Sequence, residues 1–446
     1  MRPQMKPKST PKHPQKRLFE IELIDLVSPR HELVRLAELI DWQRLEVEFG
    51  EHYCANNGAA AKPIRLMAGL EYLKQINKLS DERIVEAWCE NPYWQYFCGM
   101  QFFSHELPCD PSLMSRFRRR IGEQGVELML SVTVDAGLKS NTVKASSLRE
   151  VVVDSTVMEK NIAHPTDSKL LERCRKKLTM LAKEAGVRLR QSYARQGPKM
   201  AMQVGRYAHA KQFKRMRKAL KKQKNYLRRV LRDVMRNLPA EPTSELVQMM
   251  LKAEQLLKQE KHSKNKLYSL QEPAVECIAK GKSAKPYEFG VKVSVATTVK
   301  EQFIVASHAM HGNPYDGDTL LKTLHIVEDV TNQRAQTCYV DRGYRGHMAQ
   351  RYEVYIAGQK RGVTPSIKRK LKRRNAIEPI IGHMKQDGHL GLNRLKGKLG
   401  DKLNAILAGI GQNCRKILAT LRLFYAWNLQ WPISVQVQQL TYSVRY

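Results

Sequence analysis

The hydrophobic and polar positions of this chain follow more than one period, and each period predicts a different kind of element. From about 62 to 135 the period is helical, with Leu66, Leu70 and Leu73 recurring at helix spacing. Ser80 stands where a helix carrying Ile84, Val85 and Trp88 needs an N-cap. Asp110 followed by Pro111 has the form of a cap and a first helical residue. Residues 148–154 read differently. Val151, Val152 and Val153 are consecutive β-branched residues ending in Asp154, and they predict a buried strand with the acid at its end. More strands follow Pro286: "YEFGVKVSVATTV", then "QFIVASHAMHG", a helix near 316–330, and "AQTCYVD". That order makes an α/β or α+β sheet.

Between the strand regions, roughly 165–283, the helical period returns, with Phe213, Met216, Leu220, Leu227, Leu231 and Val234 on one stripe and lysines and arginines elsewhere. Pro239, Pro242 and Ser244 interrupt it before a further helix. An inserted subdomain and a coiled-coil-like oligomerisation arm both fit this pattern. The stretch "LNAILAGIGQNCRKILATLRLFYAW" is apolar but broken by Arg415, Lys416 and Arg422, so it predicts an amphipathic helix and not a membrane span. The layout expected is a basic disordered arm over 1–20, a helical domain over 21–140 and a sheet-containing core over 141–164 and 284–395. A basic helical insertion over 165–283 and a C-terminal helical segment over 396–446 complete it.

Charge changes the picture most. The 446 residues carry 77 Lys and Arg against 43 Asp and Glu, a formal net charge of +34. An excess of that size favours a polyanionic partner, nucleic acid first and an anionic membrane surface second. A purely structural nucleic-acid binder would explain the charge as well. The eight cysteines form no CxxC pair, which argues against zinc fingers and a disulfide framework and suits a reducing cytosol. The basic, proline-containing start leads into no apolar segment of the secretory kind, so a cytoplasmic, nucleoid-associated location is expected. In "SLMSRFRRRIG", Arg116, Arg118, Arg119 and Arg120 surround Phe117, as in a helix lying on DNA or in a solvated basic face.

Candidate chemistry rests on three acids. Asp341 ends the apolar run Cys338, Tyr339, Val340 just as Asp154 ends its own, and acids at the ends of neighbouring strands face one crevice. Glu378 follows in "KRKLKRRNAIEPIIGHMKQDG", with Arg374 four positions before it and Lys385 seven after. On a continuous helix these share a face, with Ile377, Ile381 and Met384 beside them, although Pro379 restricts Glu378 to a helix start. Carboxylates converging in a cationic protein suit hard cations such as Mg²⁺, and a pair of such ions suits in-line phosphoryl transfer. Arg342, Tyr344 and Arg345 either contact a DNA backbone or close the turn after Asp341. His311, His347 and His383 show no ligand spacing and read as packing or turn residues.

At these residues the sequence resembles insertion-sequence transposases of the DDE class, in the family called insertion sequence five. The likeness runs through "KPIRLMAGLEYLKQINKLSDERIVEAWCENPYWQYFCG", "VVDSTVMEKNI", "GNPYDGDTL", "DRGYRGH", "AIEPIIGHMKQDG" and "RLKGKLGDKLNAILAGIGQNCRKIL". It implies an RNase H-like core in which Asp154, Asp341 and Glu378 bind two Mg²⁺ ions, with Mn²⁺ substituting. The activity implied is cleavage at transposon ends and 3′-hydroxyl transfer into target DNA. The partners implied are double-stranded DNA, at terminal inverted repeats and target sites, and a second copy of the chain, with no membrane. Arg374, Glu378 and Lys385 match the family's signature in register, while its tyrosine position holds Leu371. Met158 stands where glutamine is expected and Asp318 where histidine is expected. A silent DNA-binding descendant and a nuclease that never joins strands are the alternatives.

Overall fold

The computed structural model describes residues 5–7, 21–54, 58–260, 262–279 and 285–442. Most of the basic arm expected over 1–20 therefore lies outside the described residues. The chain divides into two compact units, Met1–Glu159 with Lys292–Tyr446, and Lys160–Val291.

The first unit opens with short helices, of which Ile64–Asn77, Asp81–Trp88 and Pro92–Phe97 lead to the long Pro111–Lys139. Their starts are set by side-chain caps. Ser80 accepts from Arg83 N, Asn91 from Trp94 N and Asp110 from Ser112 N, with Pro111 at the first helical position. Gly122 breaks the long helix with φ 63° and ψ −162°, a conformation costly to any residue with a Cβ. These helices do not close on a core of their own. Trp88, Phe117, Met129 and Val134 belong to the same apolar cluster as Val151, Val153, Phe303 and Ile410.

The strands are β1 (Glu150–Lys160), β2 (Glu276–Ala279), β3 (Tyr287–Thr298), β4 (Ile304–Met310), β5 (Thr337–Val340), β6 (Glu353–Ile356) and β7 (Leu392–Asn393). Within the first unit the order is β3-β1-β5-β6, with β4 on the outer side of β3 and β7 pairing β1. β1, β5 and β6 run parallel, whereas β3 and β4 form an antiparallel hairpin. This mixed open sheet with helices around it is an α/β arrangement consistent with an RNase H-like core. β4 is buried along its whole length, because the C-terminal helix Gly397–Tyr442 covers it. Asn413 exchanges two 2.8 Å hydrogen bonds with the backbone of Ile304, and Ser307 donates to the Ala405 carbonyl at 2.7 Å. A polar side chain thus replaces the missing neighbour strand at that point.

One strand departs from its expected length. β1 does not end at Asp154 but continues six residues to Lys160, with Thr156, Val157 and Met158 buried. Asp154 is a mid-strand residue.

The second unit is a bundle of Asp167–Glu184, Gln196–His209, Phe213–Arg236 and Ser244–Lys258, followed by β2, which pairs with the first residues of β3. Leu171, Leu178, Leu227, Leu231, Leu246 and Met249 share a core, so the helices bury their stripes against one another. Phe213 is excluded from it. It occupies the first helical position and is 51% exposed.

Candidate active site

The register of the parallel strands decides where the first two acids meet. Glu150 pairs with Thr337, Val151 with Cys338 and Val152 with Tyr339. Carried on two positions, that register sets Asp154 beside Asp341. Asp341 follows the last residue of β5 and caps a single turn, Arg342–Tyr344, by accepting from Gly343 N at 2.9 Å. Val340 and Cys338 are fully buried, so the strand delivers Asp341 to the point where the apolar layer stops.

Glu378 comes from a third element. Helix Pro365–Arg373 passes through the turn Arg374–Ala376 into helix Ile377–Gln386, where Pro379 falls in the first turn and breaks no hydrogen bond. Lys370 pairs with Glu150 at 2.5 Å and Arg373 donates to the Lys300 carbonyl at 2.8 Å, tying this stretch to the start of β1 and the β3–β4 turn. Ile377, Ile380, Ile381 and Met384 are buried, which turns Glu378 outward to an exposed position.

Arg374, in the turn that leads into the Glu378 helix, faces Asp154. Its guanidinium is 3.7 Å from the Asp154 carboxylate and 2.9 Å from Asn375 Oδ1, and its Nε is buried without a hydrogen-bond partner. Burial pushes the Asp154 carboxyl up to about 6. The charges of Asp341 and Glu378 add to that rise, while the Ser155 amide and Arg374 oppose it. The Asp154 carboxyl therefore feels the charges of both Asp341 and Glu378. Carboxylate oxygens are the donors hard divalent cations take, and added positive charge would relieve the strain on Asp154. As the side chains stand, no group of three or more His, Cys, Asp or Glu among the described residues is placed to hold a metal ion.

Two residues join the site that the sequence did not single out for it. Asp316 opens the helix Asp316–Thr331, pairs with Lys292 at 3.2 Å and points at Gly343. A Cβ on Gly343 would stand 3.0 Å from Asp341 Oδ1 and 3.4 Å from Asp316 Oδ2. Glycine there lets two carboxylates approach one backbone position. Tyr344, read from sequence as a backbone contact or a turn residue, is fully buried, and its hydroxyl has no partner. Burial and then the Asp316, Asp154 and Asp341 charges hold that phenol far above its usual range. The only sequence signal for Asp316 was its place at the start of a helix in "PYDGD".

The other expected residues separate by burial. Arg342 and Arg345 are exposed after Asp341; the Arg342 guanidinium lies against Gly358, and the Arg345 carbonyl accepts from Tyr315 at 2.9 Å. Lys385 is half-buried at the end of its helix. Arg116 and Arg119 are exposed, and Arg120 lies 4.5 Å over the Tyr53 ring. Arg118 must be withdrawn from the DNA-facing set. It is 3% exposed and bound to Glu71 and Asp81, where the helix turns its apolar stripe inward. His311 pairs with Asp401 at 3.1 Å and His383 with Asp387 at 2.7 Å. Met158 is buried with its sulfur 3.1 Å from Asn404 Nδ2, Leu371 is half-buried, and Asp318 is exposed in its helix's first turn.

Comparison with known proteins finds a family model for the N-terminal helices and a relative for part of the chain. Residues 21–120 match the model described as "Transposase domain (DUF772)". The chain is also 49% identical over 196 residues to the "Uncharacterized protein ORF8 in nfe locus" of Rhizobium meliloti, covering 44% of this chain and 94% of that one. No solved structure matches. The chain belongs to a transposase family, with the Rhizobium meliloti protein as a relative.

Proposed function

We propose that the chain is a DDE transposase of the insertion-sequence-five type, with Asp154, Asp341 and Glu378 as its catalytic acids. The observation that carries this reading is the β1–β5 register, which puts Asp154 beside Asp341 while Glu378 acts on the same carboxylate. The three acids would hold two Mg²⁺ ions, which when bound supply activation of the attacking oxygen and stabilisation of the leaving one. Asp154, half-buried and crowded by like charge, is the residue with most to gain from a cation. Arg374 holds the Asp154 carboxylate in position and presents the nearest guanidinium for a substrate phosphate. Arg342, Arg345 and Lys385 contribute phosphate contacts that position DNA without reading bases. Arg116, Arg119 and Arg120 do the same from the N-terminal helices.

In this reading water hydrolyses the phosphodiester at the element end, and the freed 3′-hydroxyl then displaces a phosphodiester oxygen of target DNA. Two copies of the chain would bring two ends together.

The test is a labelled duplex carrying the element's terminal repeat, with target plasmid, in Mg²⁺ or in EDTA. Wild type should nick at the boundary and join the end to plasmid only with Mg²⁺. Asp341→Asn should bind the duplex equally well and do neither. Nicking without joining would identify a nuclease. Tight binding with no cutting by wild type in Mg²⁺ or Mn²⁺ would overturn the catalytic reading.

A further inference from the structure

We propose that the solvent face of the helix Phe213–Arg236 is a second contact for duplex DNA, one that grips the phosphate backbone independently of the acid site. Residues 160–291 hold 32 Lys and Arg against 11 Asp and Glu, a net of +21 out of the chain's +34. The helix itself carries eleven Lys and Arg and one acid, Asp233, which is buried. Ten of the eleven are exposed: Lys224 is the exception, its ammonium donating to the Gln259 carbonyl at 3.1 Å.

Placement on the helix turns that excess into a surface. Ala219, Gln223, Leu227, Val230, Leu231 and Val234 are buried and define the inward face. Lys214, Lys218, Lys221, Arg228, Arg232 and Arg236 follow one another at three, four or seven positions, so they form a single row on the opposite side. At about 1.5 Å per residue that row is roughly 33 Å long. One turn of B-form DNA is about 34 Å. The row therefore has the length to meet phosphates along a full helical turn.

The row is also uncompensated. Among the described residues none of its six cations pairs with a carboxylate. By contrast, Arg175 on the helix Asp167–Glu184 binds Glu172, and Lys177 binds Glu245. Like charges at helix spacing repel, and without acids between them an external polyanion relieves that repulsion beyond what salt screens. Duplex DNA is favoured over the other polyanions by what the face lacks. Tyr226, the aromatic residue of the helix's middle, is stacked on Tyr193 at 4.4 Å and does not offer a platform for unpaired bases. The helix's apolar side is consumed in the unit's own core, so it offers no face to a bilayer.

The test uses the full chain in EDTA, which separates it from cleavage. Affinity for a 30-base-pair duplex of unrelated sequence (about three helical turns at 10–10.5 base pairs each) is measured by fluorescence anisotropy across a salt series. The variants are Lys218→Gln, Lys221→Gln, Arg228→Gln and Arg232→Gln combined, and a charge-keeping set exchanging Lys and Arg at the same positions. Each phosphate contact contributes about 0.9 to the slope of log affinity against log salt, so the neutral set should lower that slope by roughly 3–4. The charge-keeping set should retain it. An unchanged slope in the neutral set, with helicity intact by circular dichroism, would overturn the proposal. So would loss of binding to single-stranded RNA or to phosphatidylglycerol vesicles while duplex binding is retained.

Discussion

Arg118 shows how far a single position can be misread from its residue type. Four arginines in five positions look like a surface, yet Met114, Phe117 and Ile121 mark the buried stripe, and position 118 falls on it. What allows the charge inside is a network: Arg118 Nη1 to Glu71 at 2.9 Å and to Asp81 at 2.9 Å, with Lys74 on Asp81 at 2.7 Å. Burial alone would raise the Asp81 carboxyl, but Arg118 and Lys74 hold it down at about 2. Removing the arginine leaves two carboxylates with too little compensation, and breaking a buried pair in this way costs about 3–5 kcal/mol. Arg118→Ala should therefore lower the urea midpoint sharply. Arg119→Ala, one position on and exposed, should stay within about 0.5 kcal/mol of wild type. Equal, small effects from both would show that the network contributes nothing to stability.

At the scale of elements, the caps and the apolar periods were legible because each is a local rule. Ser80, Asp110 and Pro111 do in the structure what their types predict. The end of β1 was not legible, since "DSTVMEK" begins polar and only the partner strands show that Thr156, Val157 and Met158 are covered. The parallel pairing that sets Asp154 beside Asp341 is a long-range fact, as is the approach of Asp316 through Gly343. The C-terminal helix carries a similar hidden rule. A Cβ on Gly411 would stand 2.7 Å from the Gln75 carbonyl oxygen, on the helix Ile64–Asn77. A backbone carbonyl held in a helix has little freedom to retreat, so Gly411→Ala should separate the two helices and destabilise the unit by about 1–3 kcal/mol. Gly382, where a Cβ meets nothing within 4 Å, should by contrast accept alanine and gain slightly in helix propensity. Thermal unfolding of the two variants side by side measures the difference.

For the whole molecule the decisive quantity is positive charge, and acid makes it worse from inside. His308 is buried on β4 with neither ring nitrogen hydrogen-bonded, and burial, with Lys322 and Lys402 adding to it, lowers its pKa to about 4. Burial likewise lowers His389 to about 4, helped by Lys74. An imidazole whose folded pKa is depressed binds protons more readily in the unfolded chain. Stability is therefore fully present above about 6.5 and is lost as pH falls from there to about 4. Asp154, raised to about 6, works the other way over part of that range in metal-free protein, so the wild-type slope is a difference of opposing contributions. Substituting one histidine isolates its share. His308→Leu removes a buried titrating ring whose nitrogens had no partner to lose, so stability at pH 7.5 should be unchanged or slightly higher. Between pH 6.5 and 4.5 the variant should lose less than wild type, by about 2 kcal/mol, in urea unfolding at fixed salt. Parallel pH curves for the two proteins would mean that the His308 ring binds protons in the folded state as readily as in the unfolded chain.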